Sequence, residues 1–207
     1  MHNFDPQQYW KAKGSTYLDN FNGNDNLIRH QEQMVLNYIE NNIPKKDVTK
    51  VFEVGCGFGR YTKLILQYFP RIVLYWAIDI SSGLLKSAKK YVNDKRVIYI
   101  EKAIQEITIG EKYDLVFAGE ALFQIPTSDI ESVVRKLLSL TRKHFIHIDP
   151  ERHYKRRELY YYDESGNVRD FAIFHNYESI VKKIGSKISQ RYTPMENIHQ
   201  AIYHNVV

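Results

Sequence analysis

"VFEVGCGFGRYT" (residues 51–62) is the stretch whose reading decides the fold. Val51 and Phe52 lead to Glu53, and glycines follow at every second position: Gly55, Gly57 and Gly59. Glycine costs roughly 0.5–1 kcal/mol in an ordered element, so three in alternation imply that something must approach the backbone closely. A strand that ends in glycines and opens into a helix offers unpaired N–H groups and the positive end of the helix dipole. A dinucleotide fingerprint, G-x-G-x-x-G, would place its third glycine at position 60, which is Arg60. Glu53 sits two residues ahead of the first glycine. A carboxylate there suits a ligand carrying an ammonium group better than a pyrophosphate.

Outward from this loop the apolar pattern alternates between two periods. Residues 50–54, 72–80, 96–101, 113–119 and 144–149 read as buried strands. Residues 26–42, 60–69, 81–92, 128–142 and 176–185 read as helices. Pro44 and Pro70 close the first two helices, Ser81 or Ser82 caps the third, and Gly185 ends the last. Residues 103–107 are a loop or a single turn. Strands alternating with helices predict crossover units, a parallel sheet and helices on both of its faces. After residue 157 the pattern changes. Residues 158–174 read as a hairpin around Glu164–Asn167, and 187–193 and 199–207 as two final strands.

At 207 residues, 43% apolar and 26% charged, the chain can bury the core of one domain. Its one cysteine, Cys56, excludes an internal disulfide or a multi-cysteine metal site, and no metal is expected. No apolar run reaches the roughly 20 residues of a membrane helix, and "MHNFDPQQYW" lacks a signal core. The expectation is a cytoplasmic protein without membrane partners. A net charge of +5 favours anionic ligands.

With these motifs in order through residues 50–150, the chain resembles the class I S-adenosylmethionine-dependent methyltransferases. "EVGCGFG" is similar to their first motif, [DE]-x-G-x-G-x-G. The resemblance implies a three-layer α/β sandwich. Its seven-stranded sheet would be mostly parallel with the last strand antiparallel, and a small β-hairpin is inserted after strand 5. It implies one domain over 1–207: an N-terminal helical lid (1–45), a cofactor-binding core (50–150), a substrate-side insertion (151–175), and a C-terminal helix with a closing hairpin (176–207).

The resemblance also implies the cofactor, S-adenosyl-L-methionine, and its product, S-adenosyl-L-homocysteine. Gly55, Cys56, Gly57 and Gly59 would cradle it, with Glu53 near its ammonium or organising the loop. Asp79, about 20 residues past the loop, matches the acid that grips the ribose hydroxyls, with Ile80 beside it. Ala103 and Ile104 would flank the adenine. Lys102 stands where the family often has a carboxylate. Glu120 would line the methionine side, and Tyr17 and Arg29 are lid residues that would reach the cofactor, Arg29 at its carboxylate. Phe123, Tyr9, Tyr154 and Arg156 would meet the substrate, the last two from the basic, Tyr-rich segment 149–162. Glu120 and His153 are the candidate bases.

The reaction implied is in-line methyl transfer to an O or N of a small molecule, phosphorylated or aromatic. The place of the nucleic-acid amine motif [DN]-P-P-[FY] reads "GEAL", and no cysteine suits carbon methylation of pyrimidines. An RNA substrate is the alternative that the basic charge supports. A second alternative is a binding protein without turnover, and an NAD-dependent enzyme is disfavoured by Arg60 and Glu53.

Overall fold

The computed structural model describes residues 4–14, 25–108, 110–150, 158–162, 164–166, 168–192 and 200–207. Helix α1 (Pro6–Lys13) starts at Asp5, whose carboxylate accepts the Gln7 amide at 2.8 Å, with proline in the first turn. Helix α2 (Asp25–Asn42) follows. Then come β1 (Lys50–Val54), α3 (Arg60–Tyr68), β2 (Leu74–Asp79), α4 (Ser82–Val92), β3 (Val97–Glu101) and β4 (Tyr113–Gly119). Helix α5 (Ile130–Leu140) runs directly into β5 (Thr141–Pro150). The remaining elements are β6 (Glu158–Tyr162), β7 (Val168–Ile173), α6 (Tyr177–Lys183), β8 (Gln190–Tyr192) and β9 (Gln200–Val206).

The main sheet has seven strands in the order β3-β2-β1-β4-β5-β9-β8, and β6 and β7 form a separate hairpin. Strand β1 pairs parallel with β2 and β4, and β9 runs antiparallel to β5. The chain builds outward from β1 in one direction, then returns to β4 and builds in the other. That reversal opens a crevice beyond the carboxyl ends of β1 and β4, where ligands bind in open α/β sheets. The expected sandwich, reversed strand and inserted hairpin are all present.

Side-chain alternation along the strands supplies both faces. Val51, Leu115, Phe117, Ile146 and Ile148 pack under α2, α3 and α4, with Ile39, Ile65 and Leu85. Phe52, Val54, Val116, Ala118 and Phe145 pack under α5 and α6, with Val133, Leu137, Tyr177 and Val181. Strand β5 begins three residues earlier than expected and α5 ends two residues sooner. Thr141 takes extended backbone and its hydroxyl donates to the Leu137 carbonyl at 2.8 Å, capping the helix where the sheet begins.

Between β5, β9 and α2 lies a buried polar chain. The Tyr38 hydroxyl donates to Gln190 Oε1 at 2.7 Å. Its single proton is thereby used, so His204 Nδ1–H donates to the Tyr38 oxygen at 3.1 Å, and His144 Nδ1–H donates to His204 Nε2 at 3.0 Å. Burial, and then the nearby His144, push His204 down to about 4. The unfolded chain takes up a proton near pH 6.5 that the folded chain refuses. Stability from this site is therefore complete above pH 6.5 and is lost as pH falls toward 4, by up to about 3 kcal/mol. Urea titrations across this range should show a shallower acid limb for His204→Asn than for the wild type. Parallel limbs would exclude His204 as the source.

Candidate active site

The crevice at the sheet's switch point is a cleft of about 1100 Å³, its mouth included. Its floor is the loop from β1 to α3. The Gly55 and Cys56 amides both donate to the Ile78 carbonyl, at 2.9 and 3.0 Å, which lays the loop across the end of β2. Gly55 has φ +66°, and a Cβ there would stand 2.5 Å from the Ala121 side chain. Gly59 has φ +90°, and its Cβ would meet Val92 at 2.5 Å, so α3 could not start so close to α4. The missing Cβ of Gly57 faces open space, with no atom of the described residues within 4 Å. Two glycines thus allow close packing, and the third leaves backbone bare on the cleft floor.

Asp79, at the tip of β2, fixes one wall. The Gly57 amide donates to its Oδ2 and the Ser81 amide to its Oδ1, each at 2.9 Å. The carboxylate is 8% exposed and lines the cleft. Burial raises its pKa, against the pull of the amide hydrogen bonds. Ala103 and Ile104 form the next wall. Their turn is gathered from below by Lys136, whose ammonium donates to the carbonyls of Ile104, Gln105 and Ile107 at 2.8–3.0 Å.

The opposite wall runs from Gly119 to Pro126. Glu120 takes a left-handed backbone, φ +57°. Its Oε2 accepts from Arg60 at 2.6 Å, and its Oε1 accepts from Gln31 at 3.0 Å and from Gln200. Arg60 also donates to Gln31 Oε1 at 2.9 Å and to the Tyr61 hydroxyl at 2.6 Å. It is 7% exposed and the one buried cation among the described residues. Pro6, Gln7 and Trp10 of α1 roof the cleft, and Trp10 Nε1 donates to Gln124 Oε1 at 3.2 Å.

A bare glycine floor beside a carboxylate anchored at the tip of the second strand is paralleled in sequence. Residues 51–144 match the family described as "Methyltransferase domain". Over this segment the chain resembles the class I methyltransferases. It is 28% identical over 131 residues to the malonyl-[acyl-carrier protein] O-methyltransferase of Priestia megaterium, covering 63% of this chain and 46% of that protein. The chain thus spans under half the length of that relative. It is 25% identical over 168 residues to the trans-aconitate 2-methyltransferase of an Enterobacter species, covering 75% of this chain and 65% of the other.

Two solved methyltransferases share the fold. The magnesium protoporphyrin IX methyltransferase of Synechocystis PCC 6803, with bound S-adenosylhomocysteine, superposes with a TM-score of 0.71 at 17% identity, covering 97% of each chain. The N-methyltransferase NodS of Bradyrhizobium japonicum, in complex with the same compound, gives 0.72 at 13% identity over 98% of each chain.

The structure gathers most of the residues expected at the cofactor site. Gly55, Cys56, Gly57, Asp79, Ile80, Ala103, Ile104 and Glu120 all line the cleft. Gly59 shapes it from one step away. Glu53 lies beneath the floor, 1% exposed, where Thr62 and Tyr75 donate to its Oε2 at 2.5 and 2.7 Å. Burial pushes it up to about 7. Glu53 is thus tied to α3 and β2 and is not among the residues that line the cleft. The Cys56 thiol is buried and pushed well up, the opposite of a reactive thiolate.

Other residues lie elsewhere. Arg29 is exposed on α2 and is not among the residues that line the cleft; Gln31 of the same helix instead holds Arg60 and Glu120 of the wall from behind. Tyr9 packs against Phe4 and Phe171 beside the roof. Phe123 is half-buried beside the lining residues Ala121 and Gln124. Tyr17, His153, Tyr154 and Arg156 fall outside the described residues. Sequence reading expected a lid from the N-terminal segment, where Trp10 lies, but missed Pro6, Gln7, Gln124 and Arg60. For Arg60 a signal exists: a cation in the first turn of a helix opposes the dipole and calls for a carboxylate partner.

The roof is seated through Gly14, where a Cβ would lie 1.7 Å from Ser81 Oγ. Gly14→Ala is expected to lift the end of α1 from the cleft. In a Trp76→Phe background the Trp10 emission should shift to the red while the melting temperature holds. Unchanged emission would mean that the helix slides rather than lifts.

Proposed function

We propose that this protein transfers a methyl group from S-adenosylmethionine to an O or N atom of a small-molecule acceptor. The observation that carries the reading is Asp79, held by the Gly57 and Ser81 amides at the edge of a glycine floor. Each carboxylate oxygen keeps lone-pair capacity toward the cleft, which suits a vicinal pair of ribose hydroxyls. Ala103 and Ile104 offer a small, apolar slot for a purine. Arg60 places positive charge at the cofactor's carboxylate end, the role expected of Arg29.

When bound, the cofactor supplies a methyl group already activated on a sulfonium. The chain's own contribution is then alignment, which can supply roughly 7–11 kcal/mol in well-oriented reactions. Glu120 is poorly placed as a base, since three side chains donate to its two oxygens. We assign it to holding Arg60 and the cleft wall. An anionic acceptor oxygen would need no base. The relatives' names point the same way, one to O-methyl transfer on a malonyl group and one to trans-aconitate. The roof formed by Pro6, Gln7 and Trp10 favours a small acceptor over a polymer.

Titration calorimetry with S-adenosylhomocysteine tests the cofactor site. Transfer of labelled methyl to a panel of small carboxylates, amines and phenols tests the reaction. Binding without transfer to any of them would favour the non-catalytic reading. No binding would overturn the proposal.

A further inference from the structure

The wall from Gly119 to Pro126 leaves the sheet at the end of β4 and crosses the end of β5. It is tied down from behind at three points. The Glu120 amide donates to the Ile148 carbonyl at 2.8 Å. The Phe123 amide donates to Asp149 Oδ1 at 3.0 Å. His175 Nε2 lies 3.0 Å from the Ile125 carbonyl, so the proton sits on Nε2 and the ring donates. The Asp149 and His175 contacts reach the wall through side chains outside the cleft.

Asp149 is itself oriented. His147 Nδ1–H donates to its Oδ2 at 2.6 Å, and both side chains are fully buried. The imidazole stacks on Tyr203 at 4.8 Å and on Phe145 at 5.2 Å, with the edge of Tyr177 at 4.4 Å. Among the described residues its Nε2 has no hydrogen-bond partner. Burying such a dyad gives little net stability over an apolar pair of the same volume. What it does supply is a carboxylate that cannot turn, with one oxygen aimed at the Phe123 amide. One residue further on, Gln124 accepts from Trp10 of the roof.

We propose that Asp149, held by His147, is a positioning residue: it sets the acceptor-side wall at 122–126 and, through the Gln124–Trp10 contact, the roof over the cleft. The functional consequence rests on the methyltransferase reading, but the geometry can be tested without it. In a Trp76→Phe background, acrylamide quenching of Trp10 is measured in the ligand-free protein. Asp149→Leu should make Trp10 more accessible and shift its emission to the red. His147→Leu removes the Nδ1 donor and should act likewise. His147→Asn can place an amide N–H at the Nδ1 position and should restore wild-type quenching. Both histidine variants delete the ring, so a role in packing alone would move them together.

The same variants are titrated with S-adenosylhomocysteine, where Asp149→Leu and His147→Leu should weaken binding about tenfold and His147→Asn should not. Equal quenching in His147→Leu and His147→Asn, or no change in Asp149→Leu, would overturn the proposal. Failure of the wild type to bind S-adenosylhomocysteine would instead overturn the methyltransferase reading, and the quenching comparison would still decide the positioning role.

Discussion

Asp79→Ala is expected to weaken S-adenosylhomocysteine binding at least about a hundredfold while moving the melting temperature little. Hydrogen bonds to a charged acceptor are worth about 1.5–3 kcal/mol each, so two ribose hydroxyls lose about 3 kcal/mol or more, which is two decades in affinity. Stability responds differently. Burial already opposes ionisation of this carboxyl in the ligand-free protein, so deleting it removes a disfavoured charge. The Gly57 and Ser81 amides lose their acceptor, which limits the gain. Asp79→Asn keeps an acceptor oxygen and should fall between. The raised pKa adds a pH signature. The hydroxyls need the carboxylate form, so affinity should decline on acidification at a pH above the usual aspartate range. Calorimetry on the three proteins decides the matter: equal affinities in wild type and Asp79→Ala would remove the ribose from this wall.

How much of this was legible in the sequence follows from which interactions are local. The strands and helices of the core came from apolar periodicity, which reports burial along a single element. The loop at Gly55–Gly59 came from the spacing of its glycines, because turn geometry acts over a few residues, whereas the acid Asp79 came only from the resemblance to the methyltransferases. "TR" at 141–142 reads as the polar end of a helix, yet Thr141 pairs with Tyr113 and begins β5. The strand continues there because a neighbour is available, and no pattern within three residues records a neighbour. The site divides in the same way. Its floor is contiguous in the chain. Its roof and far wall join Trp10 to Gln124, Gln31 to Glu120, and Asp149 to Phe123. Such pairings depend on the folded topology, so the eye settles on Arg29, which follows the lid logic, rather than Arg60, which the sheet brings to the cleft.

Arg60→Met should be the most destabilising of these substitutions. The guanidinium is 7% exposed, stacks on the Tyr61 ring at 4.3 Å, and donates to Gln31, Tyr61 and Glu120. Removing one partner of a buried ion pair costs about 3–5 kcal/mol because the other charge is left unpaired. Glu120 retains 27% exposure and two glutamine donors, which reduces the figure to about 2–4 kcal/mol. For a chain of this size that is a fall of roughly 5–15 °C in melting temperature. If the unpaired carboxylate is the cause, neutralising it should recover stability. In the double variant Arg60→Met/Glu120→Gln, the introduced side chain would meet Gln31 and Gln200 as an amide among amides, with no charge to solvate. The double variant should therefore melt above Arg60→Met alone, a non-additivity that only contacting residues show. Equal melting temperatures would place the cost in lost packing against Tyr61, and the polarity of this end of the cleft would then rest on Glu120 alone.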